Sequence, residues 1–280
     1  MTFENYSVLM CVYYKEKPEC LEEAINSVLC QTKPTNDFVI VCDGPLTKEL
    51  DCVLDKYSNA YDIIHVVRLE KNSGVGAASQ YGLSFIKNEV FAKMDSDDVC
   101  DETRMEKELK AINNGYDVVG GAIAEFISDK SNIVGIRMPP ENHEDIVAFS
   151  KKRNPVNNVT IMYKKSRVVE AGGYLNANFL EDYTLDVKLI QKGNKFYNIQ
   201  DVLVYVRTDN NQIKRRGDKK LRKGFKELRK MMLREKYISK KEYLIYSFEG
   251  FVFMIMPGFI KKALYKKFLR KKKWKGFSIY

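Results

Sequence analysis

Apolar runs alternate with amphipathic stretches through most of this chain. Tyr6 to Tyr13 (YSVLMCVY) is continuously apolar, the pattern of a strand buried on both faces. Pro18 then opens a helix in which Leu21, Ala24, Ile25, Val28 and Leu29 share one face. Phe38 to Cys42 reads as a second buried strand, stopping at Asp43-Gly44-Pro45. Leu50, Val53, Leu54 and Tyr57 mark the next helix, and Ile63 to Val67 a third strand. This β-α-β-α-β order predicts a parallel sheet with right-handed crossovers.

A small-residue turn, Asn72-Ser73-Gly74-Val75-Gly76-Ala77-Ala78, then enters a helix expected to run to about Lys87. The match to a dinucleotide fingerprint is incomplete, because Ser79 holds its third glycine position and the turn follows the third strand. Small residues there let a helix start pass close to a sugar or phosphate, or simply to the sheet. A fourth strand, beginning at Val90, ends in Asp95-Ser96-Asp97-Asp98. Met105, Leu109 and Ile112 form the apolar side of a helix that includes Arg104. Tyr116 to Ile127 and Asn132 to Met138 read as extended, in a mixed or antiparallel part of the sheet. A polar loop, Arg153-Asn154-Pro155-Val156-Asn157-Asn158, feeds a strand ending at Tyr163. Ala171-Gly172-Gly173-Tyr174 is a turn, and Phe179-Leu180-Glu181-Asp182-Tyr183 opens a helix through Leu189.

Composition changes this picture mainly through charge. Residues 1–210 carry 24 Lys+Arg against 32 Asp+Glu, whereas residues 211–280 carry 23 against 5. An acidic body with a strongly basic tail points to an anionic partner for the tail. The 280 residues suffice for one large domain or two. None of the six cysteines forms a CxxC pair, and Cys11, Cys30 and Cys42 fall in apolar runs. They are expected to be reduced and buried, as in a cytosolic protein. With only His65 and His143 present, a Cys/His zinc site is not expected. No signal peptide is apparent in Met1 to Lys17, and no apolar run reaches the roughly 18 residues of a spanning helix.

Three carboxylates within four residues repel one another and raise each other's pKa, so a cation is expected nearby. A hard divalent ion, Mg²⁺ or Mn²⁺, held by one or two carboxylates and substrate phosphates suits the end of a buried strand. The plainer alternative is a solvated turn, with Asp98 capping the helix that follows near Asp101. Glu181 and Asp182 admit two explanations as well. They complement a helix dipole, or Asp182 is a general base while Glu181 orients an acceptor.

Taken together, VYYKE after the first strand, Asp43-Gly44, Asp95-Ser96-Asp97-Asp98, AGGY and Glu181-Asp182 resemble the family 2 inverting glycosyltransferases with a GT-A fold. Arg153-Asn154-Pro155-x-Asn157 followed by AGGY and Glu-Asp-Tyr resembles the subgroup that builds bacterial capsule, exopolysaccharide and O-antigen units, amylovoran-type transferases among them. The resemblance covers about residues 6–207. It implies a Rossmann-like, mostly parallel sheet flanked by helices, with a catalytic domain over 1–210. Residues 1–100 would be its nucleotide-binding half and 101–210 its acceptor-binding half.

By the same resemblance, Asp43 contacts the uracil of a UDP-sugar, Asp97 is the metal ligand, and Asp95 faces the ribose or the metal. Val12, Tyr13, Glu16, Asn72, Gly76, Ser96 and Arg215 are implied to line the donor, and Asp182 to be the catalytic base. The implied cofactor is Mn²⁺ or Mg²⁺, and the implied acceptor a lipid-linked saccharide. Three departures bear on donor and acceptor identity. Related sequences commonly read Asn-His where Asn157-Asn158 stands, Trp at Asp186, and a basic residue near Ser79-Gln80. Gln212-Ile213-Lys214-Arg215-Arg216 lacks the Trp of processive synthases, so one sugar per encounter is expected. Arg215 and Arg216 belong to a mobile loop closing on the diphosphate, or to a solvated face.

In the tail, a charged helix is expected from about Asp218 to Lys236, followed by the apolar stretch Tyr243 to Met256, interrupted by Glu249. Lysines alternate with apolar residues from Phe259 to Lys275, a composition suited to an anionic membrane interface. Residues 243–275 are expected to attach the chain to such a surface, which the resemblance implies to be the cytoplasmic face of a bacterial inner membrane, with the enzyme peripheral to it. Alternatively the stripes pack on the catalytic domain or on a second subunit, as in a homodimer. Nucleic acid is not an expected partner, because no aromatic stacking module is evident. Two other functions share the scaffold: a sugar-nucleotide pyrophosphorylase, whose phosphate loop VYYKEKP does not resemble, and a non-catalytic membrane- or partner-binding protein.

Overall fold

Period-two alternation along the central strands decides which helices cover which face. In the computed structural model, which describes residues 2–174, 180–208 and 219–255, the first strand β1 spans Ser7–Val12. Its Val8, Met10 and Val12 point into one core and Leu9 into the other. The parallel neighbours of β1 are β2 (Asp37–Cys42) and β4 (Val90–Asp95), with β3 (Ile64–Arg68) beyond β2. Helices α1 (Pro18–Leu29), α2 (Lys48–Ala60) and α4 (Arg104–Asn113) cover the Val8 face. The opposite face is covered by α3 (Val75–Leu83), α5 (His143–Ser150), α6 (Lys165–Glu170) and α7 (Glu181–Gln191).

Past β4 the sheet becomes mixed, as the second half of the sequence suggests. The described strands run β3-β2-β1-β4-β8-β6-β9-β5, where β5 is Val99–Cys100, β6 Val118–Ile127, β8 Met162–Lys164 and β9 Phe196–Arg207. Strand β7 (Asp129–Arg137) forms an antiparallel hairpin with β6. The sheet is thus continuous across residue 100.

Three elements, α5, α6 and β9, are not apparent from the apolar pattern. In β9 the polar Gln200 and Asp201 break the run, and the pairing with β6 shifts register at that point, from Gly121–Ile199 to Ala122–Val202. Helix α3 ends at Leu83, short of the expected Lys87. The segment after it turns to donate the Lys87 and Asn88 amides to Asp37 and Ser7 at 2.9 and 3.2 Å. Cys30 and Cys52 are exposed rather than buried, because Cys30 follows the last turn of α1 and Cys52 lies off the α2 face that buries Leu50, Leu54 and Tyr57. Asp98 does not cap α4. Its Oδ1 accepts the Arg207 amide at 2.9 Å, and Asp101 instead accepts the Thr103 amide at 3.0 Å.

The tail helices α8 (Lys219–Arg234) and α9 (Lys240–Ile255) fold against α7. Leu228 and Met232 of α8, with Ile238 and Tyr246, bury Leu180, Tyr183 and Val187. A capping box starts α9: the Ser239 amide donates to Glu242 at 2.7 Å, and the Glu242 amide to Ser239 Oγ at 3.1 Å. Packing on the catalytic domain therefore accounts for this part of the tail. Among the described residues, no helix is long and apolar enough to cross a membrane.

Arg104 ties α4 to the sheet. Fully buried, it donates from Nε to Glu108 at 3.0 Å and from a terminal nitrogen to the Lys93 carbonyl at 2.8 Å. Burial pushes the Glu108 carboxyl from 4.5 up to about 7, against the opposing pull of Arg104. Arg104→Met leaves that acid without its partner and is expected to lower unfolding free energy by about 3–5 kcal/mol in urea melts. Because the folded-state pKa of Glu108 is raised, its contribution is full below 4.5 and declines as pH rises through about 7. Glu108→Gln should flatten that part of the stability–pH curve.

Candidate active site

Odd-numbered residues of β4 face the α3/α7 side, since Val90, Ala92 and Met94 fill the other core. Lys93 and Asp95 consequently project towards α3 and α7, and Asp95 pairs in register with Cys11 at the carboxyl end of β1. Asp43, directly after β2, lies at the same end of the sheet. The expected donor residues Val12, Asp43, Asp95, Ser96 and Asp97 thus occupy one edge, where ligand crevices form in open α/β sheets.

Asp43 organises the turn before α3. Its two carboxylate oxygens accept the Ser73 and Gly74 amides at 2.7 and 3.0 Å, and its carbonyl accepts from Asn72 Nδ2 at 3.1 Å. Gly44 permits this approach: at φ +87°, a Cβ would meet the Asn72 nitrogen at 2.5 Å. On the first turn of α3, a Cβ on Gly76 would meet Glu181 Cγ at 2.4 Å. Of the two roles open to that small-residue turn, close packing is visible here, and its neighbour is the α7 acid rather than the sheet. Gln80 of α3 also accepts the Tyr174 amide at 2.8 Å, joining the AGGY turn to α3.

The acidic turn carries little compensating charge. Ser96 donates to Glu16 Oε2 at 2.9 Å, which draws the VYYKE loop over it. Burial, then the neighbouring Asp95 and Glu16, push the Asp97 carboxyl up to about 7. Burial also raises Asp95, with Lys93 opposing it. Arg207, which no sequence signal singles out, braces the turn by donating its amide to Asp98 and Nε to the Asp97 carbonyl at 3.2 Å.

These are hard oxygen donors whose ionised forms disfavour one another, and that chemistry fits Mg²⁺ or Mn²⁺. No group of three or more potential ligands is clustered among the described residues. The protein would therefore supply one or two carboxylates, and a diphosphate and water the remaining oxygens. Tyr13 and Tyr14 are exposed beside this edge, with ring centroids 5.9 Å apart. Arg215, with the rest of the 212–216 run, lies outside the described residues.

Asp182 stands on the first turn of α7, facing the same crevice. Lys93 Nζ donates to its Oδ1 at 3.1 Å and Asn158 Nδ2 to its Oδ2 at 2.7 Å. The Lys93 side chain is 5% exposed and that of Asp182 20%. Burial alone would lower the Lys93 pKa. The Asp182 carboxylate, the Tyr174 ring 5.1 Å away and Asp95 outweigh it, and the net shift is upward. One turn along α7, Asp186 is fully buried and accepts from Tyr163 at 3.1 Å. Burial and then Asp182 raise its pKa well above the ordinary value.

The crevice thus sets acids at the strand ends opposite a lysine-paired carboxylate. The sequence matches the model of Glycosyl transferase family 2 over residues 7–171. The chain is a family 2 glycosyltransferase. It is 32% identical over 269 residues to the UDP-Gal:alpha-D-GlcNAc-diphosphoundecaprenol beta-1,3-galactosyltransferase of Escherichia coli, covering 95% of this chain and 97% of that one. It is 31% identical over 264 residues to the amylovoran biosynthesis glycosyltransferase AmsE of Erwinia amylovora, covering 94% and 98%. Its fold resembles a mannosyltransferase from Pyrobaculum calidifontis solved with GDP-Man and Mn²⁺, with TM-score 0.64, 13% identity and coverage of 90% and 70%. The expected GT-A architecture and amylovoran-type kinship both hold, and family membership sets aside the pyrophosphorylase alternative.

In this transferase, Lys93→Met would leave Asp182 partly buried without its counter-ion. A loss of about 3 kcal/mol is expected in urea unfolding, at the low end for a broken buried pair because Asp182 is partly exposed. Adding Asp182→Asn should recover part of that loss, since the second charge is then gone as well.

Proposed function

We propose that this enzyme transfers one sugar from a UDP-sugar, with inversion, to a polyprenyl-diphosphate-linked saccharide in surface polysaccharide synthesis. The donor sugar is a galactose, glucose or N-acetylhexosamine. The observation that carries this proposal is the Lys93 contact, which sets Asp182 across the crevice from the acids at the end of β4. Support for the acceptor class comes from the E. coli relative, whose name specifies UDP-Gal and a lipid-linked GlcNAc.

In the proposed reaction, the Asp182 carboxylate removes the proton of an acceptor hydroxyl. That oxygen attacks the anomeric carbon from the face opposite the diphosphate, the bond from that carbon to the UDP oxygen breaks, and UDP leaves. Glu181, lying on Gly76 where the two halves meet, is suited to orient the acceptor. Tyr13 and Asp43 are suited to the base, Val12, Glu16, Asn72, Gly76 and Ser96 to lining the donor, and Asp95 and Asp97 to hold Mn²⁺ or Mg²⁺. When bound, such an ion offsets charge developing on the leaving diphosphate.

Attachment to the cytoplasmic face of the plasma membrane is part of the same proposal, through residues 243–275 of a 211–280 attachment region. Leu244 and Phe248, one turn apart on α9, are each 67% exposed, and Lys240 and Lys241 flank them. An apolar ridge beside lysines suits an anionic lipid surface. Residues 256–275 lie outside the described residues.

Asp97→Asn and Asp182→Asn are each expected to reduce UDP release by at least about a hundredfold, with the fold retained by circular dichroism. Full activity in both variants would instead overturn the roles proposed for Asp97 and Asp182. UDP with Mn²⁺ should raise the melting temperature, by about 2.7 kcal/mol of added stability at a hundredfold excess over Kd. EDTA should abolish the metal-dependent part of that rise, and Asp97→Asn should weaken it.

A further inference from the structure

A general base must present a lone pair to the acceptor in one fixed direction, and a carboxylate on a helix end swings freely unless something holds it. Here a directional chain of hydrogen bonds does so. The Val156 amide, which can only donate, gives its hydrogen to Asn154 Oδ1 at 3.2 Å. That bond sets the orientation of the Asn154 side-chain amide, so its NH₂ group faces Asn158 and donates to Asn158 Oδ1 at 2.7 Å. Asn158 in turn has its NH₂ group directed outward, donating to Asp182 Oδ2 at 2.7 Å. Flipping the Asn158 amide would bring two NH₂ groups together at Asn154 and two oxygens together at Asp182. The polarity of the chain is therefore fixed from the backbone to the acid.

We propose that Asn158, oriented by Asn154, is a positioning residue that aims the Asp182 carboxylate at the acceptor hydroxyl. This rests on Asp182 being the base. Lys93 holds the other oxygen, so each carboxylate oxygen carries one donor and keeps a lone pair for the incoming proton. An amide neither accepts nor releases a proton near neutral pH. The hydrogen taken from the acceptor therefore stays on Asp182 until it exchanges with solvent, and does not pass to the residue behind. A histidine at position 158 would add an ionisable partner at the same contact. The other titratable groups facing Asp182 are Lys93 and Asp95 from β4, Tyr163 from β8, Tyr174 from the AGGY turn and Asp186 from α7.

The test uses the full-length enzyme with a UDP-sugar donor and a lipid-diphosphate-sugar acceptor. Asn158→Ala is expected to lower kcat about ten- to a hundredfold, the scale of a misaligned reacting group. The donor KM and the UDP-plus-Mn²⁺ melting shift should stay unchanged, because no donor-side acid is touched. Asn154→Ala should act in the same direction, and the double variant should be little worse than either alone. Asn158→His should restore much of kcat while adding an ionisation near pH ~6.5 to the rate profile. Wild-type kcat in both alanine variants, alongside an inactive Asp182→Asn, would overturn the positioning role and leave the base assignment standing. An active Asp182→Asn would remove the base assignment itself. Should Asn158→Ala fail to fold, Asn154→Ala and Asn158→His carry the same test.

Discussion

A single ammonium inside the sheet, that of Lys93, faces more negative charge than it can neutralise. Asp182 lies in contact with it, and Asp95 and Asp186 are close enough to shift with it. Removing a lysine from water is unfavourable unless an opposite charge is held against it. Lys93 and the Asp182 carboxylate therefore fix each other, and they do so between β4 and α7. Burial and Asp182 hold the Asp186 carboxyl well above its ordinary range, and its Oδ2 has no hydrogen-bond partner among the described residues.

That contact follows from strand geometry. Alternation along β4 sends Lys93 and Asp95 to the face opposite Met94, and the next two residues carry the chain past the sheet edge to Asp97. Arg104 anchors the same strand from behind by donating to the Lys93 carbonyl. The backbone at Lys93 is thus held from one face and its side chain from the other. The sheet positions the crevice, while the loops over it are pulled in by single contacts such as Ser96 with Glu16 and Asp43 with Ser73.

Much of the parallel half was legible because β1 and β2 are buried on both faces and read as nearly continuous apolar runs, and β4 is apolar apart from Lys93 up to its terminal Asp95. The acids after β4 and at the start of α7 were legible for a related reason: charge is conspicuous where an apolar run ends. Lys93 was not, since one lysine inside VFAKMD looks like an interruption until its partner on α7 is known. Arg207 and Asn158 are likewise defined by contacts with residues far away in sequence, Asp98 and Asp182. Strand β9 escaped because its pairing needs a bulge, which no periodic pattern encodes. The expected burial failed at Cys30, on a helix end where periodicity carries little information, and at Cys52, which lies outside the buried face of α2.

Helix α7 joins the described part of the tail and Asp182, the proposed base, in one packed unit. Leu185, Leu189 and Ile190 pack into the core beneath the sheet, whereas Tyr183 and Val187 are covered by α8 and its neighbours. Tyr183 also donates to the Ser150 carbonyl at 2.6 Å, which ties α7 to the end of α5. A helix buried on both sides has little freedom to roll, and Asp182 at its first turn inherits that rigidity. Lys151 and Lys152, just beyond α5, reach Glu242 and the Tyr246 ring of α9 at 3.2 and 5.1 Å. Any surface that engages the outer ridge of α9 thereby bears on the elements that hold Asp182, so the proposed attachment and the proposed base would share one set of packed side chains.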